Sequence, residues 1–216
     1  MDHSTPPAAR GLFFSFEGID GSGKSTQARL LADALRASGE TVVTVREPGG
    51  TALGETIRTI LLDPEASITP RAEALLFAAA RAQLVETVIE PALRAGHHVI
   101  ADRYIDSTTA YQGAGRGLGS SVEPVTAFAT SGRLPDRTYL VSLPPDEAFR
   151  RRSSRQSDRM ELPPDEFRAR IVSAYAHLAT EYTDRVLTIN GTGAPDAIGL
   201  TIEQDARALL AHVPAR

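Results

Sequence analysis

Gly18-Ile19-Asp20-Gly21-Ser22-Gly23-Lys24-Ser25-Thr26 is the stretch on which the rest of the chain hangs. It satisfies G-x-x-x-x-G-K-[ST] in full. Leu12-Phe13-Phe14-Ser15-Phe16 ahead of it reads as a buried strand. Residues 26–38 behind it carry Ala28, Leu31, Ala32 and Leu35 at helical spacing. Strand, glycine loop, helix is the setting the motif needs. The glycines let successive backbone N–H groups turn inward onto phosphate oxygens, and the helix N-terminus adds partial positive charge there. Lys24 is then placed to reach β- and γ-phosphates, and the Ser25 hydroxyl to ligate Mg2+. Of the chain's 23 basic side chains, Lys24 is the sole lysine. A compact ammonium on a flexible stem suits a crowded loop that a planar guanidinium does not.

Outward from the loop, strands and helices alternate. Residues 41–45, 97–101, 138–143 and 186–189 read as further strands. Helices are expected over 52–62, 70–89 (with Pro91 a kink or stop), from 106 to 111, over 123–131, from 145 into Arg150-Arg151-Arg152, over 164–183 and over 195–212. The four glycines of 113–119 predict a loop or a helix break. This alternation predicts an α/β fold: a parallel five-stranded sheet covered by helices on both faces. Ligands of such sheets gather at the carboxyl ends of the strands, which brings together 18–25, 47–51 and Asp102-Arg103.

The 216 residues suffice for one large domain, read as 11–216 with a small lid at about 150–162, behind a disordered polar tail at 1–10. The net charge of −4 offers no basic field to recruit nucleic acid. No cysteine means no disulfide, thiol chemistry or zinc–thiolate site. No run approaches the roughly 18 apolar residues of a membrane span, and the N-terminus lacks the apolar core of a signal peptide, so no membrane is expected and a cytoplasmic location is.

Several side chains could carry chemistry. Asp20 is either a metal- or sugar-facing carboxylate or an Asx-turn residue. Asp102, ending an apolar strand, is either a metal-binding carboxylate or a cap. Arg103 is either a phosphate clamp or the salt-bridge partner of Asp102 or Glu47; Arg46 and Arg58 are further clamp candidates. Arg150, Arg151, Arg152, Arg155 and Arg159 are either a solvated face or a lid that delivers an arginine to a transferring phosphoryl group. Phe77 and Arg81, four apart on one helix face, could stack and read a nucleobase, or be a core ring beside a surface cation. A guanine-reading Asn-Lys-x-Asp element is excluded, since it needs a second lysine.

Phe16 to Thr26, Arg46-Glu47-Pro48-Gly49-Gly50-Thr51, Asp102-Arg103-Tyr104 and Ala110-Tyr111-Gln112-Gly113-Ala114-Gly115-Arg116-Gly117 together resemble bacterial thymidylate kinases in order and spacing, from about 12 to 192. The resemblance implies transfer of the γ-phosphoryl of ATP to dTMP, with Mg2+. It implies that Phe77 stacks on thymine and Arg81 donates to O4, with Ser107, Thr108 and Gln112 nearby and Tyr111 packed where a ribose 2′-hydroxyl would lie. Arg58 and Arg103 would hold the acceptor phosphate, beside Asp20. Arg152 would lie against adenine, and Arg155, then Arg151, would be the catalytic lid arginine. Tyr104 departs from members with His there. A homodimer is also implied. Discrimination against dUMP would rest on one methyl group, about 1–3 kcal/mol. Two alternatives remain at this point: a nucleoside monophosphate kinase for another base, and an ATP-dependent switch whose arginines dock a partner.

Overall fold

The computed structural model describes residues 10–152 and 165–212. Among them the strands β1 (Phe13–Glu17), β2 (Val42–Arg46), β3 (His98–Asp102), β4 (Arg137–Ser142) and β5 (Val186–Asn190) form one all-parallel sheet in the order β2-β3-β1-β4-β5. The expected α/β architecture is therefore present. Period-2 alternation divides the core into two layers. Phe14 and Phe16 face α1 (Lys24–Ala37) and α9 (Pro195–Leu210), packing with Leu31, Leu35, Ile198 and Ile202. Phe13 faces the opposite side, with Leu84, Ile89, Val99 and Ala101. Central strand β1 is buried throughout, which explains its nearly continuous apolar run.

Between the strands lie α2 (Ala52–Leu62), α3 (Pro70–Leu84), α4 (Glu90–Arg94), α5 (Ile105–Thr108), α6 (Val122–Thr130), α7 (Pro145–Arg152) and α8 (Asp165–Glu181). The Thr51 hydroxyl caps α2 by accepting from the Gly54 N–H at 2.9 Å. One expectation changes here. Pro91 neither stops nor ends the helical run: residues 85–89 adopt π-helical spacing between α3 and α4, a widened turn next to a residue that lacks its own N–H. The break expected within 113–119 falls at 116–118, after Gly113 and Gly115. These two glycines complete a π-helical segment, Thr109–Gly115, that continues α5. A Cβ on Gly115 would stand 2.8 Å from the Phe167 ring, so this glycine serves the close approach of α8.

Arg10, assigned by its sequence to the tail, is tied to Asp136 by two hydrogen bonds at 2.5 and 2.9 Å. No helix among the described residues is long and apolar enough to cross a membrane.

Candidate active site

The carboxyl ends of β1, β2 and β3 open into one cleft of about 810 Å³. Its walls include Asp20, Gly21, Ser22, Gly23, Lys24, Ser25 and Thr26 from the glycine loop. Arg58, Phe77, Arg81, Asp102, Arg103, Ser107, Thr108, Tyr111, Gln112 and Arg151 also line it. Gly18 and Ile19 shape the loop from behind. A Cβ on Gly18 would lie 2.5 Å from the Val141 carbonyl oxygen, and Ile19 packs against the core cluster of Leu140 and Tyr175. Gly18, Gly21 and Gly23 all have positive φ, the backbone form that turns N–H groups inward.

Asp20 is the electrostatic centre of the cleft. Its Oδ1 accepts from Lys24 Nζ at 3.2 Å and from Arg103 Nη2 at 2.5 Å. The Tyr111 hydroxyl donates to Oδ2 at 3.4 Å. Burial pushes the Asp20 carboxyl up, but Arg103 and then Lys24 outweigh it and hold the group well below the usual carboxylate range. Arg103 thus pairs with neither Asp102 nor Glu47. It sits at φ 73°, an unusual backbone form for a non-glycine residue, with its N–H donating to the Phe16 carbonyl at 3.0 Å.

Behind Arg103 stands Glu17, fully buried at the end of β1. It accepts from the Tyr104 and Ser107 N–H groups at 2.8 and 3.2 Å, from Ser107 Oγ at 2.6 Å and from the Tyr175 hydroxyl at 3.0 Å. Arg103 Nη1 in turn donates to Ser107 Oγ at 3.0 Å. Burial, with Asp106 adding to it, holds the Glu17 carboxyl above its ordinary range.

Phe77 and Arg81 reverse the simpler expectation of a core ring beside a surface cation. Phe77 is half-buried on the cleft wall, while Arg81 is 1% exposed. Its Nε and Nη2 clasp Glu47 at 2.8 and 2.5 Å, Nη2 also reaches the Tyr104 carbonyl at 3.1 Å, and Nη1 donates to Thr108 Oγ1 at 2.9 Å. Among the described residues one Nη1 hydrogen is left over, on a side chain that lines the cleft. Arg58 Nη1 donates to the Pro48 carbonyl at 2.9 Å, so the Glu47-Pro48 turn seats both guanidiniums.

Asp102 does not act as a helix cap. Its Oδ1 is buried without a hydrogen-bond partner among the described residues. Ser25 lies exposed on the cleft. Arg151 donates to Glu147 at 2.5 Å and to the Gly191 carbonyl at 3.1 Å. Arg155, Arg159 and the side chain of Arg152 lie outside the described residues.

Comparison with known proteins bears directly on this cleft. The thymidylate kinase family pattern matches residues 16–199. The chain is 47% identical over 183 residues to a thymidylate kinase of Caldanaerobacter subterraneus subsp. tengcongensis, covering 84% of this chain and 88% of that one. It is 46% identical over 204 residues to that of Bifidobacterium longum, covering 92% and 98%. A crystal structure of the thymidylate kinase from Ehrlichia chaffeensis superposes with a TM-score of 0.76 at 31% identity, covering 92% of this chain and 99% of the other.

The chain belongs to the thymidylate kinase family. Sequence reasoning gave no site role to several residues that the fold brings to the cleft or behind it. Glu47 is a buried carboxylate that clasps Arg81, 34 positions away, and Glu17 is one that holds Ser107, whose hydroxyl accepts from Arg103. Glu17 stands inside the quoted motif stretch, and its isolation in an apolar strand was the available signal. Gly191, Gly193, Pro195 and Ile198 line the cleft from the loop after β5 and the start of α9, with only their place beyond a strand end to mark them.

Proposed function

We infer that this thymidylate kinase transfers the γ-phosphoryl of ATP to dTMP, giving dTDP and ADP, by positioning and charge neutralisation in the cleft described. The bond between Pγ and the β–γ bridging oxygen breaks, and one forms between Pγ and an oxygen of the dTMP phosphate. That acceptor is a phosphate monoester with a second pKa of about 6 and is largely ionised at neutral pH, so no general base is required. The observation that carries the reading is that Asp20 accepts from both Lys24 of the glycine loop and Arg103 after β3, in a cleft that Arg58 also lines.

Lys24 and the loop N–H groups bind the β- and γ-phosphates of ATP. Arg103 and Arg58 bind the acceptor phosphate. Phe77 offers a ring face to the base, Arg81 a donor to O4, and Tyr111 fills the space beside the sugar. Arg151 and Arg155 are the candidates for the arginine that meets the transferring phosphoryl group. The residues present fit Mg2+: Asp102 brings a buried unpartnered oxygen and Ser25 an exposed hydroxyl, and Asp20 lines the same cleft. When bound, Mg2+ would neutralise charge on the β- and γ-oxygens.

We also propose a cytoplasmic homodimer. Leu75 of α3 and Phe128 of α6, on helices that pack together, are 58% and 87% exposed and supply apolar area for a partner copy. Incubation of the full chain with Mg-ATP and dTMP, followed by 31P NMR, tests the reaction. Diphosphate signals of both dTDP and ADP are expected. ADP with inorganic phosphate in place of dTDP would overturn the reading in favour of a hydrolysing switch.

A further inference from the structure

Glu73, in the first turn of α3, has no solvent exposure and stands behind the cleft wall. Its Oε1 accepts from Gln112 Nε2 at 2.9 Å and from Arg116 Nε at 3.1 Å, and its Oε2 from Arg116 Nη2 at 3.1 Å. The two-point contact with Arg116 marks it as a carboxylate, which accepts and does not donate. Gln112 is different: its amide carries a donor end and an acceptor end of nearly equal shape, so its own sequence leaves open which end meets a ligand. Glu73 removes that freedom. Only the amine end can face it, so the carbonyl Oε1 is turned the other way. Gln112 lines the cleft, and among the described residues its Oε1 has no protein partner.

The neighbouring group has the opposite polarity. Arg81, clasped by Glu47, touches Thr108 through Nη1, and Thr108 stands four residues before Gln112 on the same helical run. The wall beside Phe77 therefore presents a donor next to an acceptor. A thymine edge offers the complement, O4 as acceptor and N3–H as donor. A cytosine edge reverses both.

We propose that Glu73 is a specificity-setting positioning residue: by fixing the Gln112 amide it makes the wall an acceptor for an imide N–H and a poor partner for a ring nitrogen lone pair. This rests on the reading of Phe77, Arg81 and Gln112 as the base site. A half-satisfied polar site rejects a mismatched ligand more strongly than an apolar one does.

The test compares kcat/KM for dTMP and for 5-methyl-dCMP, which keeps the methyl group and changes only the hydrogen-bonding edge. In Glu73→Gln the partner can donate as well as accept, and the Gln112 amide is free to turn over. The dTMP preference is expected to narrow about 10-fold, the scale of one hydrogen bond, with KM for ATP unchanged. Gln112→Met should narrow it too. The exchange Glu73→Gln with Gln112→Glu keeps one amide and one carboxylate in place and puts an obligate acceptor on the cleft, so it should hold the preference near that of the original chain. This variant also decides the matter if Glu73→Gln alone does not fold. An unchanged preference in Glu73→Gln, with one that narrows in Gln112→Met, would overturn the role of Glu73 while leaving the base site standing. An exchange variant no more selective than Gln112→Met would also overturn it. An unchanged preference in both single variants would overturn the base site itself.

Discussion

Asp20 Oδ1 lies 2.5 Å from Arg103 Nη2, and the same oxygen accepts from Lys24 at 3.2 Å. One carboxylate thus stands between a cation that follows the glycine loop and a cation that follows β3. On the proposed reading, substrate phosphates would compete with Asp20 for both. An arginine-rich cleft organised this way suits two anions that must approach each other.

Lys24→Ala should abolish phosphoryl transfer while the fold persists. Among the described residues Lys24 forms an ion pair with Asp20, and its loss removes the ammonium from the glycine loop. Steady-state turnover beside a thermal melt checks this. Retained turnover would remove Lys24 from the chemistry.

Arg81→Ala should lose most activity on dTMP, with ATP binding intact. It should also destabilise the protein by about 3–5 kcal/mol, because Glu47 would be left as an unpaired buried charge. Denaturant unfolding and ATP titration separate the two effects. Unchanged kinetics would sink the base-reading assignment.

Stability should respond to pH through Glu17 and Asp20 with opposite signs. Glu17 holds its proton more tightly folded than its ordinary value of 4.5 implies, so it favours folding less as pH rises above that value through its raised folded pKa. Asp20 is depressed below its ordinary 3.8, so its contribution is present above that value and lost as pH falls through the lower folded pKa. Glu17→Gln should therefore flatten the fall in melting temperature on the way up from pH 4.5. A slope identical to that of the original chain would contradict the account.

Gly21→Ala should weaken ATP binding and lower the melting temperature. The left-handed backbone at φ 84° alone costs about 1–2 kcal/mol for a residue with a Cβ. That Cβ would stand 2.3 Å from the Ala148 carbonyl oxygen of α7, so the loop itself must shift. Normal ATP affinity in this variant would show that the close packing of loop and α7 is dispensable.

What was legible in the sequence was what physics keeps local. Phe13 to Phe16, the glycine spacing and the Ala28–Leu35 periodicity are short-range patterns, and they place β1, the loop and α1 correctly. Asp102 and Arg103 could be placed because strand ends converge in a parallel sheet. Partner choice was not legible. Arg81 with Glu47, Glu73 with Gln112 and Glu17 with Tyr175 are pairs 34, 39 and 158 residues apart, and only the folded topology brings them together. The glycine stretch 113–119 does hold the break, at 116–118, but Gly113 and Gly115 stay helical. Here Gly115 makes room for Phe167, a tertiary contact that overrides propensity.

The central claim is that the cleft pairs ATP with dTMP, and ADP release with Mg-ATP and each nucleoside monophosphate in turn tests it most directly. Rapid turnover is expected with dTMP, weaker turnover with dUMP, and near-background release with dCMP, the ribose analogue and purine monophosphates. Equal or faster turnover with another monophosphate would contradict the roles given to Phe77, Arg81 and Tyr111, and release indifferent to any acceptor would contradict the kinase reading itself.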